Sequence, residues 1–353
     1  LLKWSMAAPS TFLHRVLLTL LVLVILVIIG ETYFLNRELL RPIRTIVSET
    51  SRFADENVPA EPKLQEVLRK RDEIGTLAAS IDTMEEQIQS YVGDLTKITA
   101  EKERISTELS LASRIQASML PHVFPPFPER REFDIYAVMD PAREVGGDFY
   151  DFFFIDEDHL CLLIADVSGK GIPGALFMMI SKVILQSCAM LGKSAAEILT
   201  KTNEALCSNN QAQMFVTVWL GILEVSTGKL TAANAGHEYP VLKRADGAYE
   251  LFRDKHGFII GGMEDMQYKE YELQLKPGDK LFVYTDGVPE ATDPNQQLFG
   301  TDRMVEALNR EPDALPEQTL KNVQQAVDDF VRDAEQFDDL TMLCLEYKGG
   351  ATP

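Results

Sequence analysis

The chain has few basic residues and few cysteines for its size. Its 353 residues include 34 Lys and Arg against 54 Asp and Glu, which gives a formal net charge of −20. Without a basic stripe to neutralise phosphates, a nucleic-acid partner is not expected. The four cysteines show no C-x-x-C spacing and lie in apolar or amphipathic runs. This favours buried, reduced thiols over a zinc site or a disulfide.

An apolar run stands near the start of the chain. Val16 to Ile29 is apolar apart from one Thr, and extension to Leu35 gives the roughly 20 residues that span a bilayer. We therefore predict a transmembrane helix over 13–35. The alternative is a cleaved signal peptide, but no small-x-small cleavage site follows. The excess of basic residues after the run places the C-terminal side in the cytoplasm; these residues are Arg37, Arg41 and Arg44.

The chain does not begin with Met, so 1–12 are expected to be the remnant of a truncated N-terminal module. After the apolar run, the sequence continues with Leu39-Leu40-Arg41-Pro42, a polar connector with Pro59 and Pro62, and Asp72-Glu73-Ile74-Gly75. In order and spacing these pieces resemble a HAMP domain, the signal-relaying module of bacterial sensors, over 36–90.

A heptad repeat runs from Ile74 to Met119. Twelve of its fourteen seam positions are apolar, and the exceptions are Lys102 and Gln116. The pattern favours a coiled coil over an isolated surface helix, with 91–120 as the linker, and a parallel homodimer over an intramolecular hairpin. A cluster of prolines from Pro121 ends the helix. We predict that the coil relays a signal onward, with the two exceptions as switch points.

From Phe133 onward, strand patterns alternate with grouped helices. Consecutive strands with short turns predict an α+β layer architecture with mostly antiparallel sheets. The predicted strands are Phe133–Met139, Phe149–Ile155, Leu160–Ala165, Phe215–Glu224, Lys229–Ala233, Tyr268–Leu275, Leu281–Thr285 and Leu340–Tyr347, and the predicted helices are Gly174–Leu191, Ala195–Ser208, Thr301–Asn309 and Pro316–Glu335.

Four acidic segments stand at the ends of strand-like runs. They contain Asp148, Asp166, Asp286 and the doublet Asp338-Asp339. Each Asp alone also fits a turn or a helix cap. Together, at one sheet edge, they would repel by about 4 kcal/mol per close pair at an effective dielectric near 20, so a cation is expected among them. All the ligands are hard oxygens, which favours Mg²⁺ or Mn²⁺ over Zn²⁺.

These segments resemble the metal-dependent protein phosphatase (PPM) family in its bacterial branch of sporulation-protein IIE and sigma-factor-regulator type. The resemblance rests on residues 144–151, Ala165-Asp166-Val167-Ser168-Gly169-Lys170-Gly171, Asn234-Ala235-Gly236-His237, Tyr284-Thr285-Asp286-Gly287 and Asp338-Asp339-Leu340-Thr341. It implies an α-β-β-α sandwich over 121–348 and hydrolysis of phosphoserine or phosphothreonine by a metal-activated water, without a phosphoenzyme.

The resemblance also implies roles for single residues. Asp166 would bridge two Mn²⁺ or Mg²⁺ ions, with the Val167 carbonyl on one of them. Asp286 and Asp338, rather than Asp339, would hold the other ion, and Asp148 would contact an ion directly or through a water. Asp148, Asp166 and Asp286 are the candidate catalytic residues.

The general acid and the phosphate clamp are left open. Val167 and Ser168 stand where eukaryotic members carry a His, and Arg143 is the only candidate for their phosphate-binding Arg. His237 fits either an acid or a structural turn residue. Lys170 either meets the phosphate or is a solvated turn residue.

By resemblance, the substrate is a phosphorylated anti-anti-sigma (STAS) protein, and the enzyme sits in the bacterial inner membrane with its catalytic domain in the cytoplasm. A catalytically inactive phosphoprotein-binding module is the alternative, although the Asp set is complete. A sensor histidine kinase needs a His on the long helix, where none stands. A diguanylate cyclase is disfavoured because Phe149-Tyr150 replaces the expected Glu-Phe after Gly146-Gly147-Asp148.

Overall fold

The computed structural model describes residues 8–56 and 62–350, which fall into two compact units, 1–105 and 106–353. The connector around Pro59 and most of the predicted N-terminal remnant lie outside the described residues.

The first unit begins with a long helical segment. Helix α1 (Ala8–Leu35) passes through a π-helical turn (Asn36–Leu40) into α2 (Arg41–Glu56). The stretch Phe12–Ala54 has a mean hydropathy of 2.8 in its most apolar part, none of which is buried. Its length and composition suit a membrane-spanning helix, and a cleaved signal sequence passes the same test.

A small core follows in this unit. Helix α3 (Pro62–Leu68) and the start of α4 (Glu73–Met119) supply it together with α2. Asp72 begins α4 by accepting a hydrogen bond from the Gly75 N–H at 2.9 Å. A Cβ on Gly75 would stand 2.0 Å from the Lys70 carbonyl oxygen, so only glycine fits there. The buried core side chains are Ile46, Phe53, Leu64, Val67 and Ala78.

Helix α4 runs without interruption for 47 residues, close to the predicted span. Most of its apolar heptad positions, including Leu95 and Ile98, are exposed in the single chain. This is the surface that a coiled coil would cover, and the homodimer stays a prediction.

Within residues 106–350, the second unit has ten strands, all paired antiparallel. The strands are β1 (Phe133–Asp140), β2 (Phe149–Phe154), β3 (His159–Val167), β4 (Val216–Glu224), β5 (Lys229–Ala235), β6 (Val241–Lys243), β7 (Tyr249–Leu251), β8 (Glu270–Gln274), β9 (Lys280–Tyr284) and β10 (Leu340–Tyr347). One sheet has the order β1-β10-β9-β6-β7, and the other has the order β2-β3-β4-β5-β8.

The two sheets pack face to face, with helices on both outer sides. Helices α5 (Ile172–Ala189) and α6 (Ala195–Cys207) cover the β2–β8 sheet, while α7 (Gly300–Leu308) and α8 (Pro316–Val331) cover the other. Helix α5 is also apolar enough to cross a membrane by composition, but it packs on the sheet and is partly buried. The predicted α+β class and the four-layer sandwich are confirmed.

Candidate metal centre

The four predicted Asp positions meet at one edge of the sandwich. The β2–β3 ladder pairs Phe149 with Ala165, so Asp148 stands opposite Asp166 at the end of one sheet. In the other sheet β9 ends just before Asp286, and β10 begins just after the doublet, beside it. Asp166 feels the charge of Asp338, and Asp286 feels the charges of Asp166 and Asp338. Residues far apart in sequence thus form one acidic cluster.

The pKa values in this cluster are raised, which shows that placing these carboxylates together is unfavourable for their charged forms. Burial, with repulsion from Asp338 and Asp339, raises the pKa of Asp166 to about 6. Burial and the charges of Asp166, Glu290 and Asp338 raise the pKa of Asp286 to about 7. Burial, Asp166 and Asp339 also raise the pKa of Asp148. Carboxylates in this condition are stabilised by a nearby cation.

The two members of the Asp338-Asp339 doublet have different partners. Asp339 is buried, and its carboxylate accepts hydrogen bonds from the N–H groups of Ala142 (2.9 Å), Gly147 (2.6 Å) and Asp148 (3.3 Å). Asp338 Oδ2 lies 2.9 Å from the Lys170 ammonium at the mouth of the cluster. Asp339 therefore fixes the backbone of the 146–148 loop, a role that the sequence reasoning missed.

Close packing forms the rest of this loop. A Cβ on Gly146 would stand 2.6 Å from Asp339 Oδ2, and one on Gly147 would stand 2.9 Å from the Val167 carbonyl oxygen. The glycines let the loop lie against both groups, and the Val167 carbonyl lies beside Gly147. The pair of glycines before an Asp was the only sequence signal for this arrangement.

Gln116, near the end of α4, holds the same loop from outside the sheets. Its Nε2 donates to the Gly146 carbonyl at 2.6 Å, and its Oε1 accepts from the Gly146 N–H at 3.1 Å. Gln116 is 3% exposed. As a seam position it interrupts the heptad pattern, and the interruption coincides with a side chain that serves the acidic site.

His237 lies in a buried turn that follows β5. Its Nδ1 is 2.8 Å from Oγ1 of Thr217, the residue that pairs with Asp166 on β4, and its N–H donates to Asn234 Oδ1 at 2.8 Å. Burial lowers the pKa of His237 to about 3. The imidazole is therefore neutral at physiological pH, which favours the structural interpretation over the acid.

The donor set suits a hard divalent cation. Asp148 Oδ2 is buried and has no hydrogen-bond partner among the described residues. No three Asp, Glu, His or Cys side chains within 8–56 and 62–350 already form a complete coordination group. Within the doublet, Asp338 faces Lys170, and Asp339 faces backbone N–H groups. A bound ion would therefore compete with the present partners of these carboxylates.

A cavity of about 270 Å³ opens beside the cluster. Gly287 and Asp338 line it on the side of the carboxylates, and Val327 and Val331 of α8 line the opposite side. This space is large enough for an amino-acid side chain.

Comparison with known families gives two matches. The family model described as "Stage II sporulation protein E (SpoIIE)" matches residues 156–348, more than half of the chain. This span contains Asp166, Asp286 and Asp338. The HAMP domain model matches residues 34–90.

Among characterised proteins, the chain is similar to two bacterial relatives. Protein IcfG of Synechocystis sp. is 29% identical over 303 residues, which cover 78% of this chain and 46% of IcfG. Phosphoserine phosphatase RsbU of Bacillus subtilis is 28% identical over 249 residues, which cover 70% of this chain and 72% of RsbU. The chain thus spans about half the length of IcfG.

Among solved structures, the chain is similar to the SiaA-PP2C domain of Pseudomonas aeruginosa, with a TM-score of 0.62 and 22% sequence identity. The match covers 70% of this chain and 99% of that domain. At this identity the likeness concerns the fold, the two-sheet sandwich described above.

Proposed function

The chain belongs to the stage II sporulation protein E (SpoIIE) family, and from this premise we propose that it is a metal-dependent phosphatase of phosphoserine and phosphothreonine in proteins. One observation carries the proposal. Asp148 and Asp166 at the edge of one sheet meet Asp286 and Asp338 at the edge of the other, and burial and mutual repulsion raise the carboxyl pKa values of Asp148, Asp166 and Asp286. A cluster of this kind suits a pair of hard divalent cations.

Each carboxylate has a proposed role at the site. Asp166 would hold two Mn²⁺ or Mg²⁺ ions, with the Val167 carbonyl as a further ligand. Asp286 and Asp338 would help to hold the ions, and Asp148 would support them directly or through a water. When bound, the ions supply an activated water for in-line attack on phosphorus and neutralise the phosphate charge.

The neighbouring residues keep this geometry without touching the substrate. Asp339 and Gln116 fix the loop that carries Asp148, because they satisfy its backbone N–H and carbonyl groups from two sides. His237 stays neutral and adds no positive charge beside Thr217. A preorganised loop lowers the cost of placing the carboxylates around the ions.

The proposed substrate is a phosphorylated anti-anti-sigma (STAS) protein. The proposal follows the phosphatase branch that the sequence resembles, and the relative RsbU carries the name phosphoserine phosphatase. The cavity between Asp338 and α8 offers space for a residue next to the phosphorylated one.

We further propose that the enzyme is anchored in the bacterial inner membrane by α1 with its catalytic domain in the cytoplasm. The apolar helix and the HAMP match at residues 34–90 support membrane anchoring, and the arginines after the helix support the orientation.

The test is hydrolysis of a phosphoserine protein by the full chain in detergent, with and without Mn²⁺. We expect Asp166→Asn to lower the rate by about 100-fold or more, because a bridging carboxylate is lost. Asp246→Asn is the matched control, since Asp246 lies in an exposed Asp-Gly turn between β6 and β7 and should keep full activity. Unchanged turnover in Asp166→Asn would contradict the mechanism, and phosphoprotein binding without turnover in Mn²⁺ would instead indicate a binding module.

A further inference from the structure

Lys170 is the lysine that pairs with the acidic cluster. Its ammonium lies 2.9 Å from Asp338 Oδ2, and it donates to the Phe337 carbonyl at 2.5 Å. The same Nζ stands 3.8 Å above the centre of the Phe337 ring. The Lys170 side chain is 34% exposed, so it closes the cluster on the solvent side.

The turn that carries Lys170 is held at Ser168 by hydrogen bonds, and two glycines flank Lys170 at its tip. The Ser168 N–H donates to the Phe215 carbonyl, and Ser168 Oγ accepts from the Phe215 N–H, each at 2.9 Å. Gly169 and Gly171 on either side of Lys170 have φ of 88° and 74°. The long side chain can therefore change partners while its Cα stays beside the site.

Lys170 and a divalent ion compete for one carboxylate. Asp338 Oδ1 accepts the Asp339 N–H at 3.0 Å, which leaves Oδ2, the oxygen on Lys170, as the one to face an ion. An ammonium and a divalent ion on the same oxygen repel each other. An ion on Asp338 thus releases the ammonium, which remains held by the Phe337 carbonyl and ring at the mouth of the site.

A released ammonium suits a phosphate oxygen. Lys carries three N–H donors, of which the Phe337 carbonyl uses one. Arg143, the other candidate for a phosphate clamp, is exposed and has no hydrogen bond or ion pair with the acidic cluster within the described part of the chain.

We propose that Lys170 is the phosphate-binding cation of this site. It neutralises Asp338 in the metal-free protein, and it binds a non-bridging phosphate oxygen once an ion holds Asp338. This proposal rests on the proposed function, since Asp338 must be a metal ligand, and it assigns to the turn lysine the clamp that the sequence left open.

The test uses the full chain in detergent and two separate titrations. The first is calorimetric binding of Mn²⁺ without substrate, and the second is calorimetric binding of inorganic phosphate in saturating Mn²⁺. For Lys170→Met we expect Mn²⁺ to bind more tightly, by about 3- to 10-fold, because a competing cation is gone. Phosphate should bind more weakly, by about 10- to 100-fold, because a charged hydrogen bond is lost.

Two variants complete the design. Lys170→Arg should keep phosphate binding within about 3-fold of the wild type, because the positive charge and donors remain. Lys201→Met is the matched control: it removes a lysine from a surface ion pair of 2.6 Å with Glu204 on α6, and it should change neither titration.

Two outcomes would overturn the inference. Weaker Mn²⁺ binding with unchanged phosphate binding would make Lys170 a support of the ligand geometry, and no change in either titration would make it a solvated turn residue. Failure of the proposed function is distinguishable from both. If the wild-type chain binds Mn²⁺ and phosphate but does not hydrolyse a phosphoserine protein, the proposed phosphatase activity is wrong. The assignment of Lys170 as a phosphate-binding residue would still hold.

Discussion

The two aspartates of the Asp338-Asp339 doublet have different roles at this site. Asp338 and Asp339 are adjacent in sequence, yet one faces Lys170 and the other accepts three backbone N–H groups. The sequence identified the doublet through its strand context. It could not separate the members, because their difference depends on a loop that lies about 190 residues earlier in the chain.

Asp286 should give the metal-free protein a distinctive dependence on pH. Its folded-state pKa of about 7 lies above its ordinary value of 3.8, so the folded chain holds this proton more tightly than the unfolded chain. The contribution of Asp286 to stability is therefore full below about pH 4 and is lost as the pH rises toward 7. Buried His237, with a pKa lowered to about 3, acts in the opposite direction below about pH 6.5.

We therefore predict that Asp286→Asn stabilises the metal-free protein, and that its advantage over the wild type grows from pH 4 to pH 7 and then levels off. At pH 7.5 the gain should be about 1 kcal/mol, or a few degrees, after allowance for partial exposure. Thermal unfolding in a chelator checks this, because the difference between the two proteins cancels the effect of His237. A constant difference at all pH values would contradict the shifted titration.

At the scale of helices and strands, local pattern was a good guide to the second unit. Eight strands and four helices were predicted to within a few residues. Their apolar alternation or periodicity extends over enough residues to identify the type of element from the sequence. The hairpin of β6 and β7 was missed, since each strand has only three residues and gains its place by pairing with β9 and with each other. Tertiary context decides such short segments.

Gln116 connects helix α4 to the loop of the acidic site. The heptad pattern shows it only as a polar defect, and its bonds to Gly146 become visible in the folded chain. We predict that Gln116→Leu lowers Mn²⁺ affinity or turnover by about 10-fold, because the buried Gly146 N–H and carbonyl lose their partners. Lys102→Leu, an exposed seam change, is the control that improves the coil without touching the loop.

The measurements are Mn²⁺ titration and turnover for each single variant. Equal effects of Gln116→Leu and Lys102→Leu would indicate that seam packing, rather than the contact with Gly146, controls the site.

At the scale of the whole molecule, the exposed seam of α4 predicts a parallel dimer. Leu95 and Ile98 are both more than 60% exposed in the single chain, which is unusual for apolar residues at heptad spacing. We predict that Leu95→Glu converts the full chain from dimer to monomer in analytical ultracentrifugation, because a buried charge at a seam position is costly. Thr96→Glu, one residue off the seam, should leave the dimer intact.

A chain that is monomeric before any substitution would contradict the prediction. The unit 106–353 should unfold at the same temperature in both variants, since its cores draw on residues from Leu120 onward.

The pairing of carboxylates across two sheets also has a consequence for biosynthesis. Asp148 and Asp339, which shape the same loop, are separated by 191 positions, and β10 follows Asp339 as the last strand of the second unit. A nascent chain on the ribosome has the first half of the site long before the second. The acidic cluster is complete only when β10 has left the exit tunnel and docked between β1 and β9.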